Sequence, residues 1–183
     1  MNSLRIFVLF AVISLFFSCN TGKKNIDLPR VGEIDQKFAP HISGFTGGLL
    51  SKKAPVIIEL TDAYHEMAAV GKMLPNNLFT FSPAIDGQII WENPYTVKFI
   101  PVDDLPSGQL YEVSFNLGKI KDVEESLESF DFYFKVKDLN VQLFYDQFNN
   151  LGDDFVEIQG RVIASDYIDT SLLSKSVFLN IND

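Results

Sequence analysis

The chain has 183 residues, with 24 acidic against 15 basic side chains and a formal charge of −9, a balance that excludes the basic footprint nucleic-acid binding requires. One cysteine and two histidines leave no internal disulfide and no Cys-rich metal site to be built. The length is enough for one domain and part of another, and seventeen phenylalanines, within an aromatic content of 13%, give ample material for a core.

Arg5 is the one charge ahead of an apolar run, residues 6–17, interrupted only by Ser14. A membrane-spanning helix needs about 20 apolar residues to cross a hydrocarbon layer of ~30 Å. This run is shorter and has the proportions of a signal-peptide core. It stops at Ser18-Cys19, and the polar stretch Asn20-Thr21-Gly22-Lys23-Lys24-Asn25 follows.

Leu15-Phe16-Phe17-Ser18 before Cys19 resembles a bacterial lipobox, with Phe16 and Phe17 departing from its strictest form. The resemblance implies that residues 1–18 are a lipoprotein signal peptide, cleaved between Ser18 and Cys19. Cys19 then becomes an acylated N-terminus whose partner is membrane lipid. Each buried methylene of such chains contributes about 0.8 kcal/mol, and two chains suffice for stable anchoring. With Arg5 removed the charge passes from −9 to −10, and the chain's single thiol is spent on lipid.

Residues 19–37 carry Gly22, Lys23, Lys24, Pro29, Arg30 and Gly32 among isolated apolar residues, the composition of a flexible tether. From His41 onward the apolar residues recur in short runs divided by Gly, Pro, Asn and Asp, which predicts an all-β unit over residues 38–137. The expected strands are 42–45, 55–60, 78–82, 88–92, 96–101, 109–116 and 128–136. Alternation places Val97 and Phe99 on one face of their strand, and Tyr111, Val113 and Phe115 on one face of theirs, so one side of each is buried. Glu92-Asn93-Pro94 is a compact turn that predicts a hairpin and points Trp91 into the core. Gly44-Phe45-Thr46-Gly47-Gly48 lacks the Lys-Ser/Thr ending of a phosphate loop and is read as a bend between strands. Residues 62–72, with Ala63, Met67, Ala68, Ala69 and Val70, could make a helical turn but are read in preference as a crossover loop between two sheets.

The texture changes after Lys137-Asp138. Segments 141–145 and 156–163 read as strands of a new unit, 169–175 as a short helix and 176–179 as a further strand-like piece. Three strands in about 45 residues cannot bury a sandwich core alone. Residues 138–183 are therefore expected to open a second, incomplete β unit that continues in a longer polypeptide or pairs with something else.

Chemistry-bearing patterns are sparse. His65-Glu66 has half the spacing of a zinc motif, but position 69 is Ala. His41 has no evident partner. Asp103-Asp104 and Asp153-Asp154 are acidic pairs on turns, weighed as weak calcium ligands against solvated turn charges, and the latter is preferred. No Gly-x-Ser-x-Gly elbow is present and no base is placed for a serine or paired-carboxylate mechanism. The expectation is a non-enzymatic chain with no cofactor and no metal.

Phe81-Ser82-Pro83-Ala84-Ile85-Asp86-Gly87-Gln88-Ile89-Ile90-Trp91, then Tyr95-Thr96-Val97-Lys98-Phe99-Ile100-Pro101, resembles a bacterial Ig-like module. Leu105-Pro106-Ser107-Gly108-Gln109-Leu110-Tyr111-Glu112-Val113 is similar to its corner, which implies that the Tyr111 ring enters the core while its hydroxyl bonds back to the loop. The order of signal, tether, module, Phe130-Asp131-Phe132-Tyr133-Phe134-Lys135-Val136 and second β unit is similar to the N-terminus of bacterial alpha-2-macroglobulins of the Bacteroidetes type. That resemblance implies an Ig-like antiparallel β-sandwich followed by a macroglobulin-like domain. It implies an envelope location, lipid-anchored on the outer membrane and facing the periplasm. It also implies a role as the membrane-proximal arm of a protease inhibitor whose partners are its own downstream domains and, through the whole protein, proteases. The family's thioester needs a cysteine, and Cys19 is already committed to lipid. The alternative is a short adhesin or glycan-binding lipoprotein using Tyr64, Tyr145 or Tyr167 as a stacking platform.

Overall fold

The computed structural model describes residues 34–64, 70–75, 77–152 and 155–178. They form an all-β chain of two units. The first carries β1 (Ile42–Phe45), β2 (Gly48–Leu50), β3 (Val56–Leu60), β4 (Met73–Leu74), β5 (Phe79–Ser82), β6 (Gly87–Asn93), β7 (Thr96–Pro101), β8 (Leu110–Asn116) and β9 (Ser129–Val136). The second carries β10 (Val141–Gly152) and β11 (Phe155–Ala164), followed by a 3-10 turn (Thr170–Leu172) and one helical turn (Leu173–Ser176).

Two sheets face each other, in the orders β1-β3-β7-β6-β4 and β2-β9-β8-β5. Apart from the edge strands β4 and β2, these are the A-B-E-D and C-F-G orders of an immunoglobulin-like sandwich, so the fold is the Ig-like antiparallel sandwich the sequence predicts. All seven expected strands are present, 42–45 and 96–101 unchanged and the other five with ends shifted by at most a residue. Period-two patterning drives them: Val56, Ile58 and Leu60 of β3, Val97 and Phe99 of β7, Tyr111, Val113 and Phe115 of β8, and Phe130, Phe132, Phe134 and Val136 of β9 are all buried.

Aromatic rings knit the layers together. Phe99 of β7 meets Phe81 of β5 across the sheets with centroids 4.4 Å apart, and within the second sheet Phe79 meets its cross-strand neighbour Phe115 at 5.0 Å. Phe45 lies edge-on to both Phe130 and Phe132 at 5.2 and 5.1 Å. Such pairs add about 0.5–1.5 kcal/mol each beyond area burial.

The glycine-rich bend does more than turn the chain. It carries it out of the first sheet at Phe45 and into the second at Gly48, where φ is +78°, a conformation glycine adopts without strain. Thr46 holds the passage: its hydroxyl accepts from the Ile57 N–H, and its own N–H donates to the Ile57 carbonyl, both at 2.9 Å. β2 then runs parallel to β9, with Gly48 opposite Phe134 and Leu50 opposite Val136.

The β6–β7 hairpin forms as expected, closed by Pro94-Tyr95 with the Asn93 side chain accepting the Tyr95 N–H at 2.8 Å. Two differences stand out in this unit. The short edge strands β2 and β4 carry too few residues to show a period. Residues 62–72 do not cross between sheets, because β3 and β4 belong to the same sheet. Pairing with β6 explains this: Val70 bridges Trp91, and the Gly71 N–H donates to the Trp91 carbonyl at 2.8 Å. The change of sheet comes later, between β4 and β5. Residues 65–69 of this segment, with His65-Glu66, lie outside the described residues.

In the second unit β10 and β11 are longer than their sequence signals, because polar residues such as Gln147 and Asn149 continue the ladder. The helical piece starts with the Asp169 side chain accepting the Ser171 N–H at 2.9 Å. Ser176, read as strand-like, closes the helical turn instead, and the Val177 N–H donates to the Leu173 carbonyl at 3.0 Å. A local 5→1 bond satisfies these two backbone groups.

Candidate docking surface

β10 and β11 form a two-stranded antiparallel ribbon whose two outer edges have no strand partner among the described residues. Its register runs from Val141 opposite Ala164 to Gly152 opposite Phe155. Paired residues share a face, so Val141, Leu143 and Tyr145 lie with Ala164, Val162 and Gly160. A one-residue bulge then intervenes between Tyr145 and Gln147. It returns Phe148, with Ile158 opposite, to the face that Tyr145 occupies. Without that extra residue strict alternation would put Phe148 on the other side.

The outcome is an amphipathic ribbon. On one face Leu143, Tyr145, Phe148 and Val156 are 63%, 64%, 57% and 53% exposed. The other face is mostly polar, with Phe144 and Ile163 as its apolar members. Arg161 pairs with Asp146 at 2.8 Å and lies over the Phe144 ring, while Asn149 donates to Glu157 at 3.1 Å. Gly160 lets the bulge close: a Cβ there would sit 2.6 Å from the Phe144 carbonyl oxygen.

The ribbon is fastened at its base. The Ser165 hydroxyl donates to the Asp138 carbonyl and accepts the Asn140 N–H, both at 2.8 Å. Next to it, Asp166 reaches across to the turn between β2 and β3. Its carboxylate accepts the Ser51 hydroxyl at 2.5 Å, the Lys52 N–H at 2.8 Å and its neighbour Tyr167's N–H at 2.8 Å. Partial desolvation acts to raise the Asp166 carboxyl, but these hydrogen bonds and the charge of Lys137 outweigh it and hold the group below its ordinary value. Lys53 lies over the Tyr167 ring, 5.0 Å from its centroid. Asp169 is also lowered, by its hydrogen bonds from Ser171 and, secondarily, by Lys52 and Lys53.

Ser18 and Cys19, the expected cleavage and lipidation site, lie outside the described residues, as do Asp153-Asp154. Trp91, Phe99, Tyr111, Val113 and Phe115 are all in the sandwich core, at most 4% exposed. Trp91 stacks on Tyr64 with centroids 4.7 Å apart. The Tyr111 ring stacks on Phe134 at 5.0 Å, and burial raises its phenol above the ordinary value. The expected corner bond from its hydroxyl is not formed among the described residues. The nearby Gln109 side chain donates instead to the Leu110 carbonyl at 2.7 Å.

The three tyrosines weighed as a stacking platform occupy different places: Tyr64 against Trp91, Tyr145 on the ribbon, and Tyr167 at the junction. Of the first acidic pair, Asp104 is engaged by Lys52 at 2.9 Å and Lys53 at 3.8 Å. Among the described residues no group of three or more His, Cys, Asp or Glu is arranged to hold a metal. A concavity of about 310 Å³ between Tyr64, Leu74, Trp91 and Ile120 is lined mainly by apolar side chains. Sequence reasoning missed Ser51 and Asp166; Ser165-Asp166 reads as an ordinary polar turn, and nothing local connects it to a serine 115 positions earlier.

No family model matches the chain, and no curated protein matches it. Among solved structures it is similar to L,D-transpeptidase 3 from Mycobacterium tuberculosis, at 15% identity over 59% of this chain and 41% of that one, with a TM-score of 0.38. It is also similar to an L,D-transpeptidase from Mycobacterium smegmatis, at 10% identity over 62% and 42% of the two chains, with a TM-score of 0.36. The chain thus spans about two fifths of the length of the structures it matches. Similarity of this order says nothing about activity.

Proposed function

We propose that the chain is the lipid-tethered, non-catalytic arm of an alpha-2-macroglobulin-like protease inhibitor of the bacterial envelope. In this reading Cys19 holds the protein to the membrane and residues 19–37 give it slack. The sandwich spaces the rest from the lipid, and the ribbon is the first hairpin of the next β domain, whose further strands in the same polypeptide cover its apolar face. Proteases would be met by the whole protein, downstream of residue 183.

The observation that supports this reading is the contrast within the second unit. An isolated two-stranded hairpin is marginal in water, yet this one keeps a mostly polar side, where Arg161 pairs with Asp146 and Asn149 with Glu157, and an apolar side in register through a bulge. A face sorted in this way fits a β-sheet laid against it.

The anchor is tested by expressing Cys19→Ala beside the parent chain and fractionating membranes. The variant is expected in the soluble fraction with its sandwich folded, and its retention in the membrane fraction would end the lipobox reading. Sequencing the gene beyond codon 183 tests the rest: a long frame of β domains supports the inhibitor arm, and a stop codon there removes it.

A further inference from the structure

We propose that Asp166 is a latch between the two units, fixing the direction in which the ribbon's apolar face points. The inference rests on reading the chain as an arm, since an arm free to swivel at residues 137–140 would present that face in no set direction.

The turn that Asp166 grips is itself fixed to the sandwich. The Lys52 carbonyl accepts the Leu105 N–H at 2.9 Å, and the Ala54 N–H donates to the Ser51 carbonyl at 2.9 Å. The Lys52 ammonium is held by Asp104. On its other side the chain leaving β9 is tied to the end of β2 through the Lys137 N–H and the Leu50 carbonyl, 2.8 Å apart. The covalent crossing and the latch therefore meet the sandwich at neighbouring points, residues 50 and 51–52. Two attachments suppress the rotation that one would allow.

Asp suits the position because both carboxylate oxygens are used. Oδ1 takes the Ser51 hydroxyl and the Tyr167 N–H, and Oδ2 takes the Lys52 N–H. Asparagine keeps one acceptor and turns a donor toward a donor. The Lys53 ammonium over Tyr167 reinforces the same junction from the next residue.

The test uses the full chain in detergent with Cys19→Ser, which removes its only cysteine. Spin labels are placed at Glu112→Cys on the sandwich and Gln159→Cys on the ribbon, both exposed positions. Double electron–electron resonance is expected to give one narrow distance distribution for this parent. Asp166→Ala should broaden it at least twofold, with Ser51→Ala and Asp166→Asn in between, while Trp91 fluorescence stays unchanged. A distribution as narrow as the parent's in both Asp166→Ala and Ser51→Ala overturns the latch. If Asp166→Ala perturbs Trp91 emission, Ser51→Ala decides alone: broadening supports the latch and parental width overturns it. Neither result touches the Cys19 fractionation, so latch and anchor fail separately.

Discussion

Strands β8 and β10 both place apolar side chains along one face, yet Tyr111, Val113 and Phe115 are 3%, 2% and 0% exposed while Leu143, Tyr145 and Phe148 are 63%, 64% and 57% exposed. The difference lies in what faces them. The buried residues of β8 join one core cluster with those of the other sheet, whereas β10 has only β11 beside it among the described residues. Patterning along a strand therefore declares which side is to be covered, and a second layer decides whether it is. The polar sides teach the same lesson: both are settled locally, by Ser114 and Ser129 donating to Asp131 on the sandwich and by Arg161 with Asp146 on the ribbon.

The contrast should appear most strongly in the response to truncation. Phe115→Ala removes a fully buried ring wedged against Phe79 and is expected to cost the sandwich about 3–5 kcal/mol, read from denaturant midpoints by Trp91 fluorescence. A loss below about 1 kcal/mol would mean that this core is far looser than its burial implies. Phe148→Ser is expected to leave the same midpoint within about 0.5 kcal/mol while lowering the binding of an apolar fluorescent dye. A marked sandwich destabilisation would erase the distinction between the two regions.

The smallest effect is on pH. Asp166 is held below its ordinary value when folded, so its contribution is complete above the unfolded carboxylate range near pH ~3.9 and drains away as pH falls through the lower folded value. Lys52, Lys53, Lys137, Asp104 and Asp169 share this neighbourhood. Being partly solvated, the junction should lose less than about 1 kcal/mol. Amide exchange at Lys52 and Tyr167 should quicken between pH 5 and pH 3 relative to amides within β8. Equal protection at both pH values would sharpen the case that the two units are joined by packing instead.

The sandwich is readable in the sequence because its strands are long enough to show a period and its turns carry Asn, Pro and Gly. Val97 with Phe99, and Tyr111 with Val113 and Phe115, declare their faces without any tertiary knowledge. β4 is invisible because two residues have no period, and β2 because its partner β9 lies some 85 positions away. The ribbon was half readable. Its apolar residues stand out, but Phe148 falls out of phase with Tyr145 until the bulge is known, and a bulge is a property of the pair rather than of either strand. Asp166 was hidden for a plainer reason, since one aspartate in a polar turn looks like any other until the fold brings Ser51 to it.

The passage of the chain from the first sheet to the second at Thr46 and Gly48 has a mechanical meaning. β2 and β9 run parallel, one near the entry of the sandwich and the other at its exit. Tension applied between the N-terminal side of the sandwich and the ribbon side, once it has passed β1, pulls the start of β2 and the end of β9 apart along their common axis. The rungs between them are then loaded in shear, all stretched together, rather than unzipped one at a time. A module wired in this way passes force from one end to the other while its core stays closed.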